Sequence, residues 1–249
     1  GQNVRELWTT DRFRAIAKVI NDTSLTIFEN SINAVASWDN SFLGRQGAIT
    51  LTKSPKIWWN MAKKSNSDFY QTLKGGSPED VLFAEVYARP NNINGNYETA
   101  KLFPEFEEEM PSKLLERVPI VGRIFKAANV AFNDSAIRAR MDLLDMMLDT
   151  HKKSGLPVDD VIIRDIGVAV NAITARGKVG KIGSSRPVQI LMWAPKMLKA
   201  DWDILTAHTF GFGLETAFVR KQAVGNILRV VGATAGVSAI ALAMGAEVE

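Results

Sequence analysis

Cysteine is missing from all 249 residues, which removes disulfides, thiolate nucleophiles and cysteine-ligated metal sites from consideration. Histidine is nearly as scarce. His151 and His208 each stand alone, with no second histidine at i+4 and no adjacent acid in a zinc-type arrangement. His151 reads instead as a dipole-compensating residue at a helix C-terminus. Ser41, Ser184 and Ser185 lack the strand-turn-helix setting of a nucleophile elbow. Gly177-Lys178-Val179-Gly180-Lys181-Ile182-Gly183 has glycine every third residue, but no Lys-Ser/Thr ending and no preceding strand, so it is not a phosphate loop. Glu107, Glu108 and Glu109 are adjacent and point different ways, as a solvated acidic face does. No catalytic, cofactor-binding or metal-ligating residue is therefore assigned, and a non-enzymatic protein is expected. Neither an initiator Met nor a secretory h-region opens the chain, whose Gly1-Gln2-Asn3-Val4 start is that expected of a processed product or a piece of something longer.

Alternating strand patterns and repeats of 20–50 residues are also missing; what is present is helical periodicity. Phe13, Ile16, Ala17 and Ile20 recur at i, i+3, i+4 and i+7, and Leu25, Phe28, Ile32, Val35 and Ala36 repeat the pattern. Ser54-Pro55 is an N-cap followed by proline at the first helical position, and Gly75 to Asp80 supplies a turn, a cap and acids for the next helix start. Trp58 and Trp59, adjacent on a helix, cannot both point inward. The stretch Arg89 to Asn96 is dense in turn formers and reads as an exposed, mobile excursion.

The longest stripe runs Val121, Ile124, Ala128, Phe132, Ala136, Ala139, Leu143 and Met147. Phe132 and Leu143 are expected in the core, and Asp134, Arg138 and Asp142 on the solvated side. His151, Lys152, Lys153, Gly155 and Pro157 mark its end. A further helix carries Ile162, Ile166, Ala169, Val170 and Ile173. Others are expected through Val188–Trp193, from Pro195 to about Thr209, and from Glu215 onward. The fold class is all-α, a multi-helix array with one long central helix and a long apolar C-terminal one. An apolar fraction of 46% and a charged fraction of 23% are those of a globular chain rather than a disordered one. The whole of 1–249 reads as a single helical domain, with residues 155–157 as the only subdomain break.

Two stretches carry the functional signal. From Arg176 to Lys199 there are six basic residues (Arg176, Lys178, Lys181, Arg186, Lys196 and Lys199) and no acid. With glycines freeing backbone N–H groups, such a segment suits sequence-independent contact with a phosphate backbone, or is a solvated loop. Trp193 within it packs in the core, stacks on a base or sits at a lipid interface.

The second is the uncharged run Val230–Ala246, preceded by Arg220, Lys221 and Arg229 and closed by Glu247 and Glu249. As a helix it reaches the lower limit for crossing a bilayer. Gly232 and Gly236 have the small-xxx-small spacing that lets helices approach closely, with Ile240 one turn on. It reads as a small-residue core helix, or as one reserved for a membrane or another subunit. Thr234 and Ser238 on one face, among mostly Ala and Val, make insertion modestly driven and favour close helix packing.

Several motifs together resemble a family. Ser41-Phe42-Leu43-Gly44-Arg45-Gln46-Gly47 with Ser54-Pro55-Lys56-Ile57-Trp58, then Glu116-Arg117-Val118-Pro119-Ile120-Val121-Gly122-Arg123 and Asn133 with Arg138-Ala139-Arg140-Met141-Asp142, are similar to a helical domain of the large polyvalent and internal virion proteins of bacteriophages. Thr174-Ala175-Arg176-Gly177 is similar to its Thr-Gly-Arg-Gly loop, and Met192-Trp193-Ala194-Pro195-Lys196 to its Phe-Ser/Ala-Pro-Arg turn. Lys196 stands where the family has Arg, so a bidentate phosphate contact there does not carry over. The resemblance implies a virion module ejected with the genome, which self-associates or meets other virion proteins, DNA or the host envelope. It brings no catalytic residue and no cofactor, and it sets the location as the virion, then the host envelope or cytoplasm. DNA binding through residues 176–199 is the alternative.

Overall fold

A computed structural model describes residues 47–102, 119–174, 195–206 and 214–244. The stripes between Phe13 and Ala36, the acidic run 105–109, the loop 176–187, the helix expected at 188–193 and His208 lie outside the described residues. Among the described residues every element is helical: α1 (Ala48–Lys53), α2 (Pro55–Leu73), α3 (Pro78–Tyr87), α4 (Pro90–Ile93), α5 (Asn96–Thr99), α6 (Pro119–Lys153), α7 (Asp160–Ile173), α8 (Pro195–Leu205) and α9 (Ala217–Ala243). The chain is an all-α array around one long central helix, ending in an apolar one.

Local chemistry explains the boundaries. The Ser54 hydroxyl accepts the Ile57 N–H, and Pro55 supplies a helical φ without a donor, so α2 starts there. Gly155, at φ +75°, ends α6 in the left-handed region that only glycine adopts without strain. The Asp159 carboxylate then accepts the Ile162 N–H at 2.9 Å and caps α7. Trp58 packs on the core, while Trp59 is exposed beneath the Lys63 ammonium.

The central helix is covered on two sides, because α2 lies along one face and α3 and α7 along another. Phe132, Ala136 and Ala139 meet Met61 of α2, while Ile137, Met141, Leu144 and Leu148 join α3, α7 and α9 in the main core. Phe132 and Leu143 are buried as expected. The solvated side assigned to Asp134, Arg138 and Asp142 does not exist as such. Asp134 and Arg138 are 0% and 4% exposed, and Asp142 is half-buried. With neighbours on both flanks the helix has no continuous wet stripe, so its polar residues must find partners inside.

They do so across helices. The Arg138 guanidinium is ion-paired with Asp68 of α2, both almost fully buried. Asp134 has no donor within reach, and burial, then the neighbouring Asp68, push its carboxyl up to about 7, so that as an acid it donates to Asp68. Asp68 thus receives both the guanidinium and the shared proton.

The stretch from Arg89 to Asn96 is a tethered corner rather than an excursion. It forms α4 and α5, turning at Gly95, whose φ is +74°. Arg89 bonds Asp142 at 2.7 Å, Asp145 at 3.1 Å and Glu85 at 3.1 Å. Asn91 donates to Asp145 at 2.8 Å, and the buried Tyr97 hydroxyl donates to the same carboxylate at 2.9 Å. Burial works against the Arg89 cation, but Asp142 outweighs it and holds the guanidinium charged. Burial, and then Asp145, raise the Tyr97 phenol well above its ordinary range.

Residues on both sides of the 155–157 turn enter one core cluster, with Leu148 and Ile162 among them. His151 is buried at this junction. Its Nε2 donates to the Pro157 carbonyl at 2.9 Å, and its ring stands edge-on to Phe218 with centroids 4.8 Å apart. It lies in the last turn of α6, as a dipole-compensating residue would, but it also ties α6 to α9.

Candidate membrane and assembly helix

Helix α9 has 27 residues and is about 40 Å long. Its first half is docked. Val219, Ala223 and Asn226 are buried, and the Phe218 ring meets His151. Its start is held from another helix: Asp165 of α7 accepts the Glu215 and Thr216 N–H groups at 2.8 and 2.6 Å. Thr216 occupies the N-cap position, but its own hydroxyl makes no capping bond; the α7 carboxylate instead fixes the backbone just ahead of the first turn.

The second half leaves the body. From Val231 to Met244 nearly every residue is exposed, with Val237 at 67% and Ile240 at 63%. A Cβ built on Gly232 or Gly236 meets nothing within 4 Å. Among the described residues the core-helix reading of Val230–Ala246 therefore fails, because almost none of the described part of the run is buried. Among the described residues α9 is the one helix long and apolar enough to cross a membrane, and almost none of its apolar stretch is buried.

The exposed half has an ordered surface. At i, i+4, i+7 and i+11, Gly232, Gly236, Ala239 and Ala243 form a shallow groove along one face. Val231 and Leu242 rise on one side of it, and Val237, Ile240 and Met244 on the other. The opposite face holds Thr234 and Ser238, and the Thr234 hydroxyl bonds back to the Val230 carbonyl at 2.9 Å. That internal bond lowers the cost of taking the hydroxyl out of water. No charge interrupts any face after Arg229.

The other candidate residues contribute less. Arg176, Lys178, Lys181 and Arg186 lie outside the described residues. Lys196 belongs to α8, and nothing is described of its side chain. Lys199 is described, and its ammonium is ion-paired with Asp203 one turn on. That acid falls just beyond the acid-free stretch and lowers the positive charge Lys199 offers to a phosphate. Among the described residues no group of three or more His, Cys, Asp or Glu is placed to hold a metal ion.

Sequence inspection missed Lys53, at the end of α1, which reaches across to α9. Its ammonium donates to Gln222 at 2.6 Å and lies close enough to Arg229 for burial, and then that guanidinium, to push its pKa down to about 8. No local signal reveals this pairing, because the two cations are 176 positions apart in the chain. Compared with family models, with characterised proteins and with solved structures, the chain matches none of them.

Proposed function

We propose that this chain is a non-enzymatic bacteriophage virion module that engages a lipid bilayer through α9 during genome ejection and self-associates there. The observation that carries the membrane part is the second half of α9, which is uncharged, apolar on every face but that of Thr234 and Ser238, and unpartnered among the described residues. A helix that packs on one neighbour needs one apolar face; a helix apolar over nearly its whole circumference belongs in lipid or in the middle of a bundle. The groove at Gly232 and Gly236 suits the next step, since in lipid it is close backbone approach that holds helices together. The virion part rests on the family resemblance, and detection of the chain in purified particles tests it.

Flotation of the full-length protein with phosphatidylcholine vesicles tests the membrane part. The wild type floats, and Val237→Lys/Ile240→Lys stays at the bottom with an unchanged melting temperature, because both positions are exposed in solution. Equal flotation of the two proteins overturns the reading. For the DNA alternative, Lys199 is the one candidate whose side chain is described, and it is paired with Asp203.

A further inference from the structure

The place where α9 leaves the body carries two cations with no counter-charge among the described residues. Lys53 and Arg229 take part in no salt bridge among the described residues; the ion pairs there involve Lys64, Arg89, Arg138 and Lys199. Their polar contacts are neutral amides: Gln222 accepts from Lys53 at 2.6 Å, and Asn226 accepts from Arg229 at 3.2 Å. Lys53 has a local reason to be basic, since it occupies the last turn of α1. That does not account for Arg229, whose amide partner Asn226 lies one turn of α9 from Gln222, the partner of Lys53. Two neighbouring like charges, one of them half-buried, repel each other and weaken the folded chain unless an anion joins them. No acid occurs from Thr216 to Ala246, so α9 itself supplies none.

Their position matters as much as their charge. Arg229 immediately precedes the uncharged run, so a bilayer that takes up Val230 onward places Arg229 and Lys53 at headgroup depth. Long basic side chains extend there readily, with their stems along apolar surface. We infer that Lys53 and Arg229 together form a binding site for the phosphate of an anionic phospholipid headgroup, at the root of the inserted helix. The inference rests on the bilayer reading of α9 and names the lipid class that this reading leaves open. Lys53 supplies a compact ammonium and Arg229 a planar pair of donors, which is complementary to a phosphate diester. Gln222 and Asn226 hold the two heads in place before the lipid arrives.

The test uses the full chain with two vesicle types, phosphatidylcholine alone and phosphatidylcholine mixed equally with phosphatidylglycerol. The wild type partitions more strongly onto the mixed vesicles. Lys53→Gln/Arg229→Gln loses roughly 10–30-fold of that partitioning while keeping its binding to phosphatidylcholine. Arg123→Gln/Lys126→Gln, with the same change in net charge on exposed residues of α6, keeps the preference. If the double variant unfolds, Arg229→Gln alone, at an exposed position, shows a smaller loss in the same direction. Wild-type binding that is equal on the two vesicle types overturns the headgroup site and leaves the bilayer reading standing. Binding to neither overturns both. Equal losses in the two double variants reduce the effect to net charge and overturn the site. Inorganic phosphate that abolishes the preference at matched ionic strength, and raises the melting temperature without vesicles, assigns the pair to free phosphate instead.

Discussion

Asp165, buried in α7, accepts the backbone N–H groups of both Glu215 and Thr216, fifty residues further along the chain. One carboxylate oxygen thus anchors the start of the helix whose far end is free. Asp165→Ala is expected to destabilise the protein by about 2–3 kcal/mol, since bonds to a charged acceptor are lost and two donors are stranded. It should also open the chain near residues 214–220 to proteolysis. Urea unfolding and limited digestion check this, and an unchanged midpoint would show that α9 is held by its apolar contacts alone.

Asp134 gives the protein a pH dependence of definite sign. Its native carboxyl keeps a proton up to about pH 7, under the influence of burial and of Asp68 and Glu79, with Arg138 opposing. In the unfolded chain an aspartate releases its proton near pH 4. Between those limits the native state binds the extra proton, so stability falls as pH rises through the window. Asp134→Asn should flatten that decline and raise the midpoint at pH 8, with little effect at pH 4. Thermal melts across the window decide it.

The tether on Asp145 predicts a different kind of loss. Asp145→Ala releases Asn91 and Tyr97, removes one of the three carboxylates on Arg89, and leaves the buried Tyr97 hydroxyl without its acceptor. A loss of about 1–3 kcal/mol is expected, with hydrogen exchange rising first across residues 89–97. Exchange that rises uniformly over the whole chain would contradict a local tether.

Gly236→Leu separates the chain's own fold from its assembly. A Cβ at this position meets nothing within 4 Å and the surrounding helix is exposed, so the melting temperature of the isolated protein should be unchanged. In bilayers the same substitution fills the groove, and cross-linking between copies should drop sharply. Gly167→Ala is the contrasting case. Its Cβ would lie 2.2 Å from the Ala100 carbonyl oxygen, and overpacking against backbone should cost about 1–3 kcal/mol or more without any membrane present.

Much of the helical frame is legible from residue spacing. The cap at Ser54, the stop at Gly155 and the burial of Phe132 and Leu143 all follow from local chemistry. The polar side assigned to α6 is misread because a single periodic stripe presumes one wet face, and α2 covers Asp134 and Arg138. The corner from Arg89 to Asn96 is misread for a similar reason. Turn-forming residues describe local bending, while the Asp142 and Asp145 anchors lie about fifty positions away. For α9 the uncharged run is visible in the sequence, but whether the body covers it is a tertiary fact. The same holds for Lys53 and Arg229.

Docked at one end and free at the other, α9 is one uninterrupted helix, and no proline breaks it between Ala217 and Ala243. It therefore works as a lever whose pivot is the contact of Val219, Ala223 and Asn226 with the body. From Leu228 to Ala243 the free arm measures about 24 Å, so a tilt of about 10° at the pivot swings its tip by about 4 Å. Movement of α7 pulling on Asp165 would be delivered, amplified, to the far tip of the arm.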